Sequence, residues 1–374
     1  MKVLIVGGGP SGSSAAISIL ESVPGADVHI YEGRSFDGPE RCAGGVNMLM
    51  MKKLGFNRLP SRVVQTAIVG AEVHSPSGYV WRLRGEYPGC VVDRNKFDRW
   101  LLDEAEKRGA EVHREWFRKP DRVYDYIIVA DGAASRVSRI LGVKQPSLMD
   151  IHMGVQVKCE CDDLSDGVLR LYLGRRYAPF GYAWTFPARG GLVKVGLGVP
   201  LKYGYMCRSL LNRFVREIGA KPVEGMIAKM IPTAKPRSSN VLGTKHCAFL
   251  FVGDAGLWTD PATGGGIWQA IMSGVSAGKS VAMGKPHLYD EMMRWLRFRN
   301  TVHYVFKVAI FDASDRDLDK IVRSLSGYNP RRVKHIGTEI VKAVLWSSFR
   351  HSGIFRKLVS SFYKYMSGTG LYVG

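Results

Sequence analysis

The chain has 374 residues, of which 46% are hydrophobic and 23% charged, and this balance excludes a disordered or fibrous protein. Its 53 Lys and Arg against 33 Asp and Glu give a net charge of +20, which favours anionic lipid, an acidic electron-carrier protein or nucleic acid as partner, or only keeps the protein soluble. No segment is typical of a nucleic-acid-binding module, so we do not expect nucleic acid among the partners.

Neither the cysteines nor the chain's hydropathy points to a metal site or a membrane span. The six cysteines form no CxxC pair and no His-rich spacing, so we expect no metal ligands, while one long-range disulfide is left open. A buried strand is predicted directly at the N-terminus, without a signal peptide, and no run of about 18 apolar residues follows. The sequence therefore predicts a cytoplasmic protein, soluble or peripheral at the inner face of a membrane.

The first thirty residues have the pattern of a β-α-β unit. Residues 2–6 predict a buried strand, residues 13–21 a helix of small residues, and residues 28–31 a second strand that ends at Glu32. Between strand and helix stands Gly7-x-Gly9-x-x-Gly12, with Pro10 and Ser11 at the helix start. Gly7 allows a tight turn, Gly9 lets a pyrophosphate approach the backbone, and Gly12 permits close packing of helix on strand. With Glu32 placed to accept from a ribose hydroxyl, the pattern predicts dinucleotide binding.

The predicted pattern of strands and helices changes twice in the rest of the chain. Alternating strands are predicted between residues 54 and 89, an amphipathic helix at 93–108, and a buried strand at 126–130. From 151 to 241 the alternation is typical of an antiparallel sheet, interrupted by a helix at 205–218. A buried strand at 248–252 and a helix from 266 follow, and the sequence beyond 289 is typical of helices. One domain is therefore interrupted by another.

Three later segments resemble the flavin signatures of the para-hydroxybenzoate-hydroxylase-like flavoproteins. They are Asp131-Gly132, Gly253-Asp254 followed by Pro261 and Gly264-Gly265-Gly266, and Arg94 at a helix start. The resemblance implies FAD, with Asp254 bonded to the ribityl chain and the helix after Gly265 directed at the pyrimidine edge of the ring.

A narrower resemblance is carried by residues 179–187, Pro-Phe-Gly-Tyr-Ala-Trp-Thr-Phe-Pro, and by Arg41-Cys42-Ala43-Gly44-Gly45. They are similar to an aromatic motif and to a Cys-containing loop of the geranylgeranyl reductase family, flavoenzymes that hydrogenate isoprenoid double bonds. On a strand, Tyr182, Trp184 and Phe186 share one face and can form a wall for a polyprenyl chain. The alternative is that these side chains are packed core aromatics, and that Cys42 is a small buried residue.

The expected site residues follow from these patterns. The catalytic candidates are Cys42, Tyr182 and Trp184, with Cys42, Tyr182 or water as proton donor. The substrate-binding candidates are Tyr182, Trp184, Phe186 and Pro187. The cofactor-binding candidates are Gly7, Gly9, Pro10, Ser11, Gly12, Glu32, Arg41, Cys42, Ala43, Arg94, Asp131, Gly132, Gly253, Asp254, Pro261, Gly264, Gly265 and Gly266.

The fold that this predicts is α/β (α+β): a three-layer Rossmann-like FAD-binding domain interrupted by an antiparallel β-sheet substrate domain, with a helical C-terminal region. We assign residues 1–60, 90–150 and 242–290 to the FAD-binding domain, 61–89 and 151–241 to the substrate domain, and 291–374 to the C-terminal region. From Arg323 onward nine cations and one acid, Glu339, are interleaved with large apolar residues. This segment predicts either a helix on an anionic membrane or a cover over the substrate cavity.

The resemblance implies a reductase that saturates geranylgeranyl double bonds of archaeal-type ether lipids or a related prenyl compound with hydride from reduced FAD. The sequence has no second Gly-x-Gly-x-x-Gly for a nicotinamide cofactor, so electrons come from ferredoxin or from NAD(P)H bound without a Rossmann site. Two alternatives remain: a monooxygenase or halogenase of the same fold, and a non-catalytic flavoprotein whose basic surface binds a membrane or a partner.

Overall fold

The computed structural model describes residues 1–83, 89–120, 123–244, 247–311 and 313–328, with residues 339, 341–343, 346, 356 and 360. In these residues the strands are β1 (Lys2–Val6), β2 (Asp27–Tyr31), β3 (Gly45–Asn47), β4 (Val64–Ile68), β5 (Gly70–His74), β6 (Val80–Leu83), β7 (Gly89–Val92), β8 (Glu111–His113), β9 (Tyr126–Val129), β10 (Ile151–Glu160), β11 (Val168–Leu173), β12 (Tyr182–Pro187), β13 (Leu192–Pro200), β14 (Lys221–Pro222), β15 (Ile227–Pro232), β16 (Val241–Gly243) and β17 (Ala248–Phe251). The α-helices are α1 (Pro10–Ser22), α2 (Met48–Lys53), α3 (Arg94–Lys107), α4 (Arg136–Ile140), α5 (Cys207–Glu217), α6 (Ile267–Ala282), α7 (Leu288–Met292), α8 (Arg294–Phe311) and α9 (Asp315–Ser324).

A six-stranded sheet in the order β16-β17-β9-β1-β2-β8 forms the nucleotide-binding half. Its pairs are parallel except β16 with β17. Val3 and Ile5 of β1 pack into a core shared with α1, α3 and α6, while Leu4 and Val6 pack into a second core on the opposite face. Burial on both faces explains why residues 2–6 have no polar alternation, and it confirms the predicted strand.

Helices α1 and α6 pack almost backbone to backbone. A Cβ atom on Gly274 of α6 would lie 2.1 Å from the carbonyl oxygen of Ser11, and one on Gly278 would lie 2.7 Å from that of Ala15. The small residues of α1 therefore serve this close contact. As a result, the N-termini of both helices open on the same cavity, described below.

The second large sheet has the order β14-β10-β13-β12-β11-β5-β6, with β15 paired to β10. All its pairs are antiparallel, as the alternation predicts, except the parallel pair β5–β11. That pair escapes prediction because the two strands belong to separate parts of the chain. Helix α5 covers one face through Leu210, Leu211 and Phe214, and the motif strand β12 runs between β11 and β13.

A third sheet, β3-β7-β4, has three antiparallel strands. Val64–Ile68, which the sequence analysis assigns to the substrate domain, pairs here with residues 89–92. The sheet carries Gly45, so it holds the end of the Cys42 loop.

Helices α7, α8 and α9 follow α6, and as far as Tyr328 they confirm the helical character predicted after residue 289. A capping box between Ser314 and Asp317 starts α9. Among the described residues, no helix combines the length and the apolarity that crossing a membrane would need. Most of the segment after Tyr328 lies outside the described residues, so both interpretations of its basic and apolar pattern stay predictions. The mixed α/β architecture confirms the predicted fold class.

Candidate active site

A cavity of about 720 Å³ lies where the six-stranded sheet, the Cys42 loop and the motif strand β12 meet. Most of the expected site residues line it: Gly7, Gly9, Pro10, Ser11, Glu32, Arg41, Cys42, Ala43, Arg94, Asp131, Gly132, Tyr182, Trp184, Phe186, Asp254, Gly264, Gly265 and Gly266. Four of them, Gly12, Pro187, Gly253 and Pro261, lie outside the lining of this cavity. The roles of all these residues remain predictions, but the structure brings eighteen of them to one surface.

The three glycines of the first motif have the geometry that a phosphate cradle needs. Gly7 has φ of +106°, in the left-handed region, and a Cβ on Gly12 would lie 1.9 Å from the carbonyl oxygen of Gly7. At Gly9, by contrast, a Cβ would meet nothing within 4 Å, which leaves open space above the backbone. Since α1 has no side-chain cap in the described structure, its first N–H groups are available to an anion.

Glu32 is held at the end of β2 by two backbone donors. The amide of Gly8 donates to Oε2 at 3.1 Å and that of Arg34 to Oε1 at 2.8 Å. Burial raises the pKa of Glu32, although Arg34 opposes the shift. Trp116, Phe117 and Arg118 line the same end of the cavity and were missed by the sequence analysis, because they follow the short edge strand β8 and belong to no motif.

Asp131 and Asp254 present carboxylates to the cavity from the ends of β9 and β17. Oδ2 of Asp131 accepts from the amide of Val137 at 3.0 Å, while its buried Oδ1 has no hydrogen-bond partner among the described residues. Such an orphaned buried acceptor points to a hydroxyl donor on a ligand. Asp254 Oδ1 accepts from Thr259 Oγ1 at 2.8 Å. The cradle, Glu32 and these two acceptors fit FAD.

The loop between Thr259 and Gly266 is anchored from behind by buried charges that the sequence analysis did not identify. Asp260 is fully buried, and its Oδ2 lies 2.7 Å from Arg299 Nη2 and 2.9 Å from His303 Nδ1, both on α8. Asp260 also accepts from the amides of Ala262 and Thr263 at 3.0 and 3.3 Å. Helix α8 therefore fixes the loop that leads into α6.

Cys42 lies in an electropositive part of the cavity wall. Burial alone would raise the pKa of its thiol, but several nearby groups, led by the charges of Arg94 and Lys229, together hold the pKa below its ordinary value. Arg94 itself pairs with the buried Asp98 at 3.0 Å. This environment favours the thiolate at Cys42 more than at the other cysteines.

The Cys42 loop is supported by a buried ion pair and by an amide. Lys194 Nζ, on β13, lies 3.0 Å from Glu40 Oε1 and 3.3 Å from the carbonyl oxygen of Ala43. Gln156 Nε2 lies 3.5 Å from the carbonyl oxygen of Cys42, and Gln156 Oε1 lies 3.4 Å from Trp184 Nε1. The substrate sheet thus holds both the loop and the aromatic motif in one arrangement.

A selective labelling experiment follows from these charges. At neutral pH we expect iodoacetamide to modify Cys42 before the other cysteines, because burial raises the pKa of Cys90, Cys159 and Cys247 to about 11 each. The rate, followed by peptide mass spectrometry, should rise with pH through a midpoint below the ordinary cysteine value. Lys229→Met should move that midpoint to higher pH. Equal labelling of Cys42 and Cys247 in the flavin-free protein would contradict the prediction.

The aromatic motif forms one wall of the cavity. The rings of Tyr182 and Trp184 lie 5.9 Å apart, and the Trp184 indole fits against Gly196, where a Cβ would approach it to 2.5 Å. The Tyr182 hydroxyl donates to the carbonyl oxygen of Thr263. Burial, aided by Asp260, raises the pKa of Tyr182, so its phenol stays protonated through the neutral range. Phe186 lies against Gly45 of the Cys42 loop.

Comparisons with known proteins agree with this geometry. Residues 1–116 match the family model of an FAD binding domain, and residues 150–232 match that of a geranylgeranyl reductase catalytic domain. The first range contains the glycine motif and Arg94, and the second contains Gln156, Trp184 and Lys194. The FAD binding domain confirms the predicted cofactor.

The fold is shared with solved flavoproteins. A geranylgeranyl bacteriochlorophyll reductase-like protein from Thermoplasma acidophilum superposes with a TM-score of 0.84 at 24% identity, covering 96% of this chain and 98% of the other. A flavin-dependent halogenase superposes with a TM-score of 0.64 at 21% identity, covering 98% and 77%. At these identities the likeness concerns the fold alone.

Other relatives have a higher sequence identity to this chain. Digeranylgeranylglycerophospholipid reductase 2 of Methanothermobacter thermautotrophicus is 32% identical, covering 87% of this chain and 91% of the relative. The digeranylgeranylglycerophospholipid reductases of Methanosarcina acetivorans and Methanocella arvoryzae are 31% and 30% identical, covering 86% and 96% of this chain and 88% and 98% of the relatives. Since these similarities run along most of both chains, the chain belongs to the geranylgeranyl reductase family.

Proposed function

We propose that the protein is an FAD-dependent reductase that saturates the geranylgeranyl double bonds of archaeal-type ether lipids. The observation that carries the proposal is the position of the Tyr182, Trp184 and Phe186 side chains. They form an apolar wall in the same cavity as the glycine cradle and the start of α6. A long prenyl chain can lie along this wall while its lipid head remains outside the cavity.

When bound, FAD supplies hydride from its reduced form to one carbon of the alkene, and a proton is added to the other. An isolated alkene is a poor hydride acceptor, so the protein must hold it dry and in near-attack geometry. Trp184 and Phe186 exclude water from the wall. Of the two candidate side chains, Cys42 is the proposed proton source, because the lowered pKa of its thiol makes proton release easier than from the Tyr182 phenol, whose proton is engaged with Thr263.

The test is the composition of the product. The enzyme is reduced anaerobically in deuterated water and given a geranylgeranyl ether lipid, and the lipid is analysed by mass spectrometry. We expect two added hydrogen atoms per saturated bond, both as deuterium, because the N–H groups of reduced flavin exchange with the solvent. Unchanged lipid, or consumption of oxygen that depends on the lipid when air is admitted, would overturn the proposal, and the second result would favour a monooxygenase.

As electron donor we propose an acidic carrier protein such as ferredoxin. The net charge of +20 supports this choice, because it attracts an acidic partner at low ionic strength. The rate of flavin reduction by reduced ferredoxin should then fall steeply with added salt, whereas reduction by NAD(P)H should change little. A salt-independent reaction with ferredoxin would contradict this choice.

We also propose peripheral contact with an anionic membrane through α8. Trp295, Phe298 and Val302 follow one another at helical spacing, and their exposed fractions are 57%, 69% and 37%. Helix α8 contains no acid, and Arg294 is exposed and Arg297 partly exposed beside these side chains, whereas Arg299 and Lys307 are buried. Exposed aromatic side chains beside cations are typical of helices that lie in a lipid interface.

Removing the exposed aromatics should weaken this membrane contact. The double variant Trp295→Ser, Phe298→Ser should bind vesicles of phosphatidylcholine and phosphatidylglycerol at least about tenfold more weakly, because two large apolar side chains no longer enter the interface. Co-sedimentation measures the affinity. Tyr205→Ser is the matched control, since Tyr205 is 82% exposed and lies outside α8. Equal loss in both variants would contradict docking through α8.

A further inference from the structure

A cluster of two histidines and a glutamate lies on the six-stranded sheet, outside the cavity described above. In the register of β2 and β8, His29 is opposite Glu111 and Tyr31 is opposite His113. Because side chains alternate along a strand, Glu111 and His113 project from the same face and both reach His29. The cluster is therefore fixed by strand pairing and not by flexible loops.

The ligand atoms in this cluster are spaced as in a metal site. His29 Nδ1 lies 3.0 Å from His113 Nε2 and 3.5 Å from Glu111 Oε2, and His113 Nε2 lies 3.4 Å from Glu111 Oε1. Ligands of tetrahedral zinc, at bond lengths of about 2.0–2.1 Å, are about 3.3 Å from one another. A metal ion between these atoms would need only a small adjustment of each side chain.

The surroundings of His29 prepare its Nδ1 for a cation. The His29 side chain is 1% exposed, and its other nitrogen, Nε2, lies 2.7 Å from Asp27 Oδ1. A carboxylate that accepts from the distal nitrogen fixes the tautomer, so the lone pair of Nδ1 faces His113. The His113 ring is held by stacking on Tyr31, with 4.4 Å between the ring centroids.

We propose that His29, His113 and Glu111 bind a divalent transition metal ion such as Zn²⁺, with Asp27 as the residue that orients His29. Imidazole and carboxylate ligands suit Zn²⁺ and its neighbours in the first transition row. Glu111 is 62% exposed, so water can complete the coordination from the solvent side. Without a metal ion, the facing nitrogens His29 Nδ1 and His113 Nε2 are within hydrogen-bond distance of each other. The sequence analysis expected no metal site, because the two histidines are 84 residues apart and only the strand pairing joins them.

The test uses the full chain with FAD bound, after a chelator has removed any metal. The measured quantity is the affinity for zinc, and enzyme activity is not needed as a readout. Titration calorimetry with ZnCl₂ should show a site that His113→Asn abolishes. Glu111→Gln and Asp27→Ala should each weaken it by about tenfold or more. Glu115→Gln, which changes an exposed glutamate in the same segment, should leave the affinity unchanged. Flavin content and melting temperature without metal check that each variant is folded.

The six thiols of the chain are the competing ligands, and X-ray absorption at the zinc edge distinguishes them. The proposal expects only nitrogen and oxygen neighbours at about 2.0–2.1 Å. Sulfur neighbours at about 2.3 Å would overturn it. So would the absence of stoichiometric binding, or an affinity that His113→Asn and Glu111→Gln leave unchanged.

Discussion

Replacing Gly12 by Ala should remove FAD from the protein and lower the free energy of unfolding by about 3 kcal/mol, as overpacking of a tight contact does. The added methyl would lie 1.9 Å from the carbonyl oxygen of Gly7, and this oxygen belongs to the backbone and cannot rotate away. Helix α1 must then move off β1, which also disturbs the cradle. The ratio of flavin to protein absorbance and a urea unfolding curve measure the two effects.

Two further glycine variants separate the cradle from the fold. At Gly9 a methyl meets nothing within 4 Å, so Gly9→Ala should fold normally but bind FAD at least about tenfold more weakly, since the methyl takes up the space proposed for the pyrophosphate. Gly38→Ala, also in open space, is the control and should change neither property. If Gly9→Ala kept full FAD affinity, the phosphates would have to bind elsewhere.

The second large effect is expected at Lys194. Lys194→Met leaves the Glu40 carboxylate, whose side chain is 7% exposed, without the cation at 3.0 Å, and this should lower the free energy of unfolding by about 3 kcal/mol. Loss of this charge should also raise the pKa of Cys42, which Lys194 helps to lower. Iodoacetamide labelling of Cys42 should therefore need a higher pH.

A double-variant cycle isolates the ion pair. Glu40→Gln combined with Lys194→Met removes both charges, so the double variant should be more stable than Lys194→Met alone. Lys158→Met is the control, because its Nζ is 3.9 Å from Glu40 Oε2 and the side chain is 20% exposed. Equal destabilisation by Lys158→Met and Lys194→Met would show that the buried ion pair contributes no more to the free energy of unfolding than the partly exposed Lys158 does.

The parts of the fold and of the site that depend on local sequence patterns could be predicted from the sequence. One β-α-β unit of about thirty residues contains the apolar run before Gly7, the glycine spacing and Glu32. Residues close in the sequence form this unit, so its structure can be predicted from the local pattern. The same holds for Tyr182, Trp184 and Phe186, since a strand places alternate residues on one face. The fold class, the cofactor and the family that these patterns implied are confirmed.

What the sequence could not reveal are side chains joined only by the tertiary fold. Lys194 and Glu40 are 154 residues apart, and Arg299 is 39 residues from Asp260. From the sequence alone, a lysine on a strand or an arginine on a helix is predicted to be exposed to solvent. Its burial depends on a partner from another segment, which the local pattern does not show. The parallel pair β5–β11 escaped prediction for the same reason.

The most direct test of the account is whether a prenyl lipid reoxidises the flavin. The enzyme is reduced anaerobically, mixed with a geranylgeranyl ether lipid or with its fully saturated counterpart, and the flavin absorbance is followed by stopped flow. The account predicts that the unsaturated lipid restores the oxidised spectrum and that the saturated lipid leaves the flavin reduced. A flavin that stays reduced with both lipids, and is reoxidised only when oxygen is admitted, would contradict it.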